Sequence, residues 1–254
     1  MLTVVKVGGK LLQDRASLAE LAGSLSEWSG RTVVVHGGGS EITRWQERLD
    51  MPVVWQDGLR VTTPEAMQLT AMVLSGWMNK RLVSALLDVG EVAVGISGED
   101  GGLLQAVRKD DGKLGEVGRI VAVNQILLRA LLAAGTVPVV SPVSRGPDGV
   151  PLNVNADEAA IAIAAALPAD RLLLVSDVPG VLMDGQVIPR ISTAEVEGLI
   201  ARGTVTGGMV VKLRQALVAA EAGAEVRIGG DEILEDGSAG TAILPAVRAS
   251  QALS

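Results

Sequence analysis

Two hydrophobic periods alternate along this chain. Short apolar runs recur at residues 3–7, 32–36, 92–96, 137–140 and 172–175, rich in Val, Ile and Leu. They lack the polar alternation of a half-exposed strand and predict strands buried on both faces of a parallel sheet. Between them lie segments of helical spacing. Leu18, Leu21, Ala22 and Leu25 mark a helix over residues 16–28, closed by Gly30. Met67, Ala71, Leu74, Met78, Leu82 and Leu86 form one stripe, started by Thr62-Thr63-Pro64-Glu65 and stopped by Gly90. That helix of about two dozen residues (about 35 Å) is longer than one sheet layer needs, so part of it is expected at a subunit interface.

Further helix starts are read at Ser40 (N-cap of a helix to about Leu49), Asn124, Asn155 and the Ser192–Glu195 capping box. A last long helix is expected over 209–222, with Lys212 in its first turn. Residues 51–61 read as a hairpin around Gln56-Asp57-Gly58, and 103–123 as short solvent-facing antiparallel strands. Strands at 224–228 and 240–243 close the chain. There is no internal repeat and no linker, so two lobes sharing one sheet, residues 1–170 and 171–254, are separated by topology alone.

The chemistry gathers where strands end. Lys6 interrupts the first β-branched run and needs a partner if buried, and Gly8 and Gly9 then bare the backbone. The second strand ends in His36-Gly37-Gly38-Gly39 and opens a helix, an arrangement whose N–H groups and dipole bind anions. His36 reads as a hydrogen-bonded strand-end residue rather than a catalytic one. Lys212, close to a helix start and beside Gly207 and Gly208, opposes the dipole, which points to a compensating anion. Asn155 is explained as a cap; Asn153 is not explained by local structure. Arg60, taken without its context, reads as a solvated charge on an edge strand.

Composition narrows the function. The 254 residues carry a net charge of −7, no Phe, no Tyr and four Trp, which disfavours nucleic acid as a partner. With no cysteine and one histidine, disulfides, thiol nucleophiles and Cys- or His-rich metal sites are excluded, and no metal ligands are assigned. The longest apolar segment, 159–169, is Ala-rich, contains Pro168 and is too short to span a bilayer. Lys6 breaks the only apolar run near the start, so no signal segment is read and a soluble, cytoplasmic protein is expected. Walker, GxSxG and GxGxxG signatures are absent, and so is a good general base. Cations and bare N–H groups without a base suit phosphoryl transfer to a carboxylate, which is already ionised.

Six motifs in order carry a resemblance: Lys6-Val7-Gly8-Gly9, His36-Gly37-Gly38-Gly39, Gly58-Leu59-Arg60-Val61-Thr62, Asn153-Val154-Asn155-Ala156-Asp157, Ser176-Asp177-Val178-Pro179-Gly180 and Gly208-Met209-Val210-Val211-Lys212. Over residues 3–243 the chain resembles the amino acid kinase family, and within it the branch acting on N-acetyl-L-glutamate in arginine biosynthesis. The resemblance implies an α/β three-layer αβα sandwich with a mainly parallel central sheet. It implies catalytic Lys6, Lys212 and Asp157, the aspartate orienting both lysines. Gly38, Gly39, Arg60 and Asn153 would bind substrate, Arg60 and Asn153 holding its α-carboxylate, with the Arg60 hairpin as a lid. Gly8, Gly9, Asp177, Val178, Pro179, Gly180, Val181, Leu182, Thr204, Val205 and Thr206 would bind ATP, with Mg²⁺ riding on its phosphates. A homodimer is implied. Two alternatives remain at this point: a kinase for carrier-protein-linked α-aminoadipate or glutamate in lysine biosynthesis, and a non-catalytic ligand sensor on the same fold.

Overall fold

The buried runs assemble into one eight-stranded sheet. The computed structural model describes residues 1–28, 30–56 and 59–245, so Asp57 and Gly58 of the expected hairpin turn lie outside the described residues. In chain order the elements begin β1 (Leu2–Val7), α1 (Arg15–Ser26), β2 (Arg31–His36) and α2 (Gly39–Arg48). The hairpin strands β3 (Trp55–Gln56) and β4 (Leu59–Arg60) follow. Next come α3 (Pro64–Ala71), a π-helical stretch (Met72–Met78), α4 (Asn79–Asp88) and β5 (Ala93–Ser97). Then follow β6 (Leu104–Arg108), β7 (Gly118–Val123), α5 (Ile126–Ala133), β8 (Val137–Ser141), β9 (Val143–Arg145) and β10 (Pro151–Asn153). The remainder is α6 (Ala156–Ala166), β11 (Arg171–Val175), β12 (Leu182–Met183), β13 (Gln186–Val187), β14 (Arg190–Ser192), α7 (Val196–Ala201), α8 (Gly208–Glu221), β15 (Glu225–Gly229) and β16 (Thr241–Leu244).

The main sheet runs β14-β16-β15-β11-β1-β2-β8-β5, and only the β15–β16 pair is antiparallel. Each strand's alternation sorts its residues between two cores. Leu2 and Val4 of β1 pack with residues of α5, α6, α7 and α8, whereas Val5 and Val7 pack with α1, α2, α3 and α4. The result is the three-layer αβα sandwich. After β1 the chain moves to β2 on one side, and after β11 it moves to β14 and then β15 on the other. The carboxyl ends of β1 and β11 therefore flank a topological switch point, where open α/β sheets form their binding crevice. A smaller sheet, β10-β9-β6-β7, carries Asn153 on its edge strand.

Several local expectations change. Ser40 is not the cap of α2: the helix starts at Gly39, Gly38 occupies the N-cap without a side-chain bond, and the Ser40 hydroxyl accepts from Gln13. The Ser192–Glu195 pair forms, with Glu195 accepting from the Ser192 N–H and hydroxyl, but α7 begins only at Val196, so the pair closes the preceding turn. The 92–96 run becomes an edge strand, half-buried rather than central. Lys212 is the fifth residue of α8, in its second turn, because the helix starts at Gly208. The long helix forms with Thr63 capping and Pro64 first, but it passes through the π stretch, which turns Val73, Leu74, Met78 and Asn79 all inward.

One glycine ties the two sheets' surroundings together. Gly115 has φ +69°, and a Cβ there would lie 2.2 Å from the Thr62 carbonyl oxygen, with Thr62 itself fully buried. Both the backbone conformation and the close approach require glycine. Gly115→Ala is expected to lower stability by about 1–3 kcal/mol. Urea unfolding checks this, and an unchanged midpoint would contradict it.

Candidate active site

Lys6 emerges on the same face of β1 as Leu2 and Val4, toward α6 and α8. That parity brings it to two groups remote in sequence. Asn155 caps α6 by accepting from the N–H groups of Asp157 and Glu158, which sets Asp157 in the first turn. Lys6 Nζ lies 2.9 Å from Asp157 Oδ1, and Lys212 Nζ from α8 lies 3.4 Å from Asp157 Oδ2. Lys6 also donates to the Val175 carbonyl at 3.2 Å and Lys212 to Ser176 Oγ at 2.9 Å, both at the end of β11. The three charged side chains are only 12–16% exposed. Burial pushes the Asp157 carboxyl up, but the charges of Lys6 and Lys212 outweigh it and hold the group below its ordinary value. Two cations share one anion in a desolvated place.

Two cavities meet at this triplet. The first, about 290 Å³, is bounded by Lys6, Gly8, Gly9, Gly37, Gly38, Gly39, Arg60, Asn153, Asn155 and Asp157, with Ile42, Trp55 and Leu74 among its apolar walls. The glycine turns after β1 and β2 touch: a Cβ on Gly9 would lie 2.9 Å from the Gly38 Cα. Bare backbone is thus what closes the cavity floor, beside an α2 start whose N–H groups no side chain caps. Arg60 is 7% exposed, so it is not a solvated edge charge; burial lowers its pKa. It donates to Gln46 Oε1, to the Gly39 carbonyl and to Thr43 Oγ1, and its guanidinium lies over the Trp55 ring at 4.6 Å. Asn153 donates to the buried Thr62 hydroxyl at 3.2 Å.

The second cavity, about 390 Å³, shares Lys6, Gly8 and Gly9 and adds Ser176, Asp177, Lys212 and Asp231. Of the expected nucleotide residues, Gly8, Gly9 and Asp177 stand on its wall. Val178, Pro179, Gly180, Leu182, Thr204 and Thr206 do not line it, while Val181 and Val205 are core residues, the Val181 N–H being donated to Thr241 Oγ1. Sequence reasoning missed Asp231, Trp55 and Gln46. The signal for Asp231 was present: Ile228-Gly229-Gly230-Asp231 repeats the strand-then-glycine pattern singled out after β1 and β2. His36 is fully buried behind the sheet, with Asn79 Nδ2 at 3.2 Å from Nε2 and the Gly37 carbonyl 3.0 Å from Nδ1. Burial lowers its pKa to about 4, so it is a neutral scaffold residue near neutral pH.

The Asp157 shift fixes the sign of a stability effect. Its folded pKa lies below the unfolded value of 3.8, so its contribution is complete above that value and vanishes as pH falls through the folded pKa. Asp157→Asn is expected to cost about 1–3 kcal/mol near neutral pH, with the gap from wild type closing in acid below 3.8. Urea unfolding across this range is the check; a gap independent of pH would exclude the ion triplet as its cause.

Comparison with known proteins agrees with this geometry. Residues 1–230 match the model of the Amino acid kinase family. The acetylglutamate kinase of Chloroflexus aggregans is 47% identical over 238 residues, covering 92% of this chain and 94% of that protein. The acetylglutamate kinase of Methanopyrus kandleri is 47% identical over 230 residues, covering 87% and 91%. A solved Streptococcus mutans UA159 protein superposes with a TM-score of 0.82 at 29% identity, over 96% of this chain and 98% of that one. Carbamate kinase from Giardia lamblia bound to AMP-PNP has a TM-score of 0.73 at 17% identity, over 96% and 98%, a likeness of fold alone. This chain belongs to the amino acid kinase family and is a phosphoryl-transferring enzyme.

Proposed function

We propose that the enzyme transfers the terminal phosphoryl group of ATP to the γ-carboxylate of N-acetyl-L-glutamate, giving N-acetyl-L-glutamyl 5-phosphate in arginine biosynthesis. The observation that carries this reading is the Lys6–Asp157–Lys212 triplet, with Lys6 on the wall of both cavities, Asp157 on that of the first and Lys212 on that of the second. The relatives named acetylglutamate kinase supply the acceptor's identity. The cavity between the glycine turns and Arg60 takes the acceptor, and the one beside Asp177 and Asp231 takes ATP. Lys6 and Lys212 flank the transferring group and neutralise its equatorial oxygens, while Asp157 holds both ammonium groups in place. The N–H groups of Gly9 and Gly38 point the backbone at the same oxygens, with Gly39 toward the acceptor. Arg60 and Asn153 take the acceptor's α-carboxylate, which places its γ-carboxylate at the lysines. No base is required, because the nucleophile is already an anion.

The carboxylates of Asp177 and Asp231 on this cavity wall are hard oxygen donors that would hold Mg²⁺ brought with ATP, which would offset the charge of the phosphates. The acceptor cavity is built entirely from residues before 170, whereas the nucleotide cavity draws on both parts of the chain, which supports lobes of 1–170 and 171–254. Met72 and Trp77 of the π stretch and Val92 beside edge strand β5 are exposed apolar residues, and they support a homodimer through that side. No helix among the described residues is long and apolar enough to cross a membrane, and an ATP-using biosynthetic enzyme belongs in the cytoplasm.

Trapping the acyl phosphate with hydroxylamine tests the reaction. N-acetyl-L-glutamate, L-glutamate and carrier-linked α-aminoadipate are offered in parallel with ATP. Turnover is expected with N-acetyl-L-glutamate alone, and Lys212→Ala should lower kcat at least about 100-fold. Turnover only of the carrier-linked acceptor would move the enzyme to the other substrate, and silence with all three would favour a sensor. Light scattering should give the mass of two chains, and Trp77→Glu the mass of one; a monomeric wild type would sink the dimer.

A further inference from the structure

Arg60 is held before any acceptor arrives, and the way it is held restricts how a carboxylate can approach. A guanidinium offers five N–H donors in a planar fork. Nη1 donates to Gln46 Oε1. Nη2 donates to the Gly39 carbonyl at 3.0 Å and to Thr43 Oγ1 at 2.6 Å, so both of its hydrogens are in use. A carboxylate grips a guanidinium bidentately across Nε and Nη2 or across Nη1 and Nη2. Each fork needs a hydrogen of Nη2. Bidentate capture therefore requires an exchange at Nη2, while the bond from Nη1 to Gln46 survives if the Nε–Nη2 edge is used.

The two ends are built to match that asymmetry. Gln46 is 1% exposed, and its Nε2 donates to the Pro52 carbonyl at 3.0 Å, which fixes the amide from behind. Losing its bond to Arg60 would leave a buried acceptor unpaired. Thr43 is half-buried on α2, and its hydroxyl donates to the Gly39 carbonyl at 3.1 Å. That carbonyl keeps a partner when Arg60 lets go. The Trp55 ring over the guanidinium, at 4.6 Å, limits tilting during the exchange.

We propose that Gln46 is a positioning residue that anchors Arg60 through Nη1, and that Thr43 Oγ1 and the Gly39 carbonyl are placeholders on Nη2 that the acceptor's carboxylate displaces. The inference rests on Arg60 being the carboxylate clamp. Steady-state kinetics with N-acetyl-L-glutamate and ATP on Gln46→Met, Thr43→Val and Arg60→Ala separate the two claims. Gln46→Met keeps the side-chain volume and removes the anchor, so it should raise the acceptor KM about tenfold and leave the ATP KM at the wild-type value. Thr43→Val removes a competitor and should lower the acceptor KM about two- to fivefold.

A structural role alone would shift both KM values together, or give Gln46→Met and Thr43→Val the same sign, and either result overturns the proposal. If Gln46→Met does not fold, Thr43→Val decides by itself: a raised or unchanged acceptor KM sinks the placeholder. An unchanged acceptor KM in Arg60→Ala would instead mean that the clamp reading has failed. A raised KM there with a wild-type value in Gln46→Met defeats only the anchor.

Discussion

Two lysines are brought close together in a desolvated place, and the structure around them follows from that constraint. Like charges repel more strongly as water is removed, and one carboxylate is what reconciles them. Asp157 can do so only because it stands in the first turn of α6, where the helix dipole and the Asn155 cap favour an anion. Lys6 reaches it because alternation along β1 sends residue 6 to the α6 side, and Lys212 reaches it because α8 packs beside α6. Both ammonium groups stand on the wall of the second cavity. In the proposed reaction a phosphoryl group in transfer, with negative charge spread over its oxygens, lies against them.

The second constraint is steric. A site that must bring two polyanionic reactants together needs backbone donors close to the lysines, and the glycine turns after β1 and β2 provide them by packing directly on each other. A Cβ on Gly38 would lie 2.6 Å from Leu74, which the π stretch turns inward. The long helix, the glycine turn and the cavity floor thus form one packed unit. His36 belongs to the same unit. Burial and its contacts with Asn79 and Gly37 keep it neutral, so it adds no charge beneath the site.

Much of this was legible in the chain before any coordinates. The sheet strands were visible because burial on both faces leaves continuous apolar runs, as in Val33-Val34-Val35. Lys6 and Lys212 stood out because each cation sits where its local structure disfavours it, whereas the first turn of a helix already accounts in part for Asp157, and only the resemblance singled it out. Arg60 was not decidable from its surroundings in sequence: its partners Gln46, Thr43 and Gly39 lie on another element, and only tertiary packing shows that it is buried. Ser40 misled because a serine after glycines satisfies the local rule for a cap, whereas α2 begins a residue earlier and leaves its N–H groups free. In the segments 178–182 and 204–206, Val181 and Val205 are held by the core, a burial that only tertiary packing shows.

The division of labour between the two cavities explains how one fold can serve several acceptors. In the proposed reaction the triplet and the glycine turns act on the transferring group, which is the same whatever the acceptor. A carbamate kinase at 17% identity still shares the fold. The residues proposed to recognise the acceptor are carried by elements outside the main sheet: the β3–β4 hairpin with Trp55 and Arg60, and Asn153 on the edge of the small sheet. Such elements can change sequence without disturbing the strands that set Lys6 against Asp157. Gln46 sits at the joint between the two, on α2, whose start adjoins the glycine turn of the first cavity, and its side chain accepts from Arg60 of the hairpin. Changes in acceptor preference should therefore act first on how that arginine is held, and only then on the chemistry.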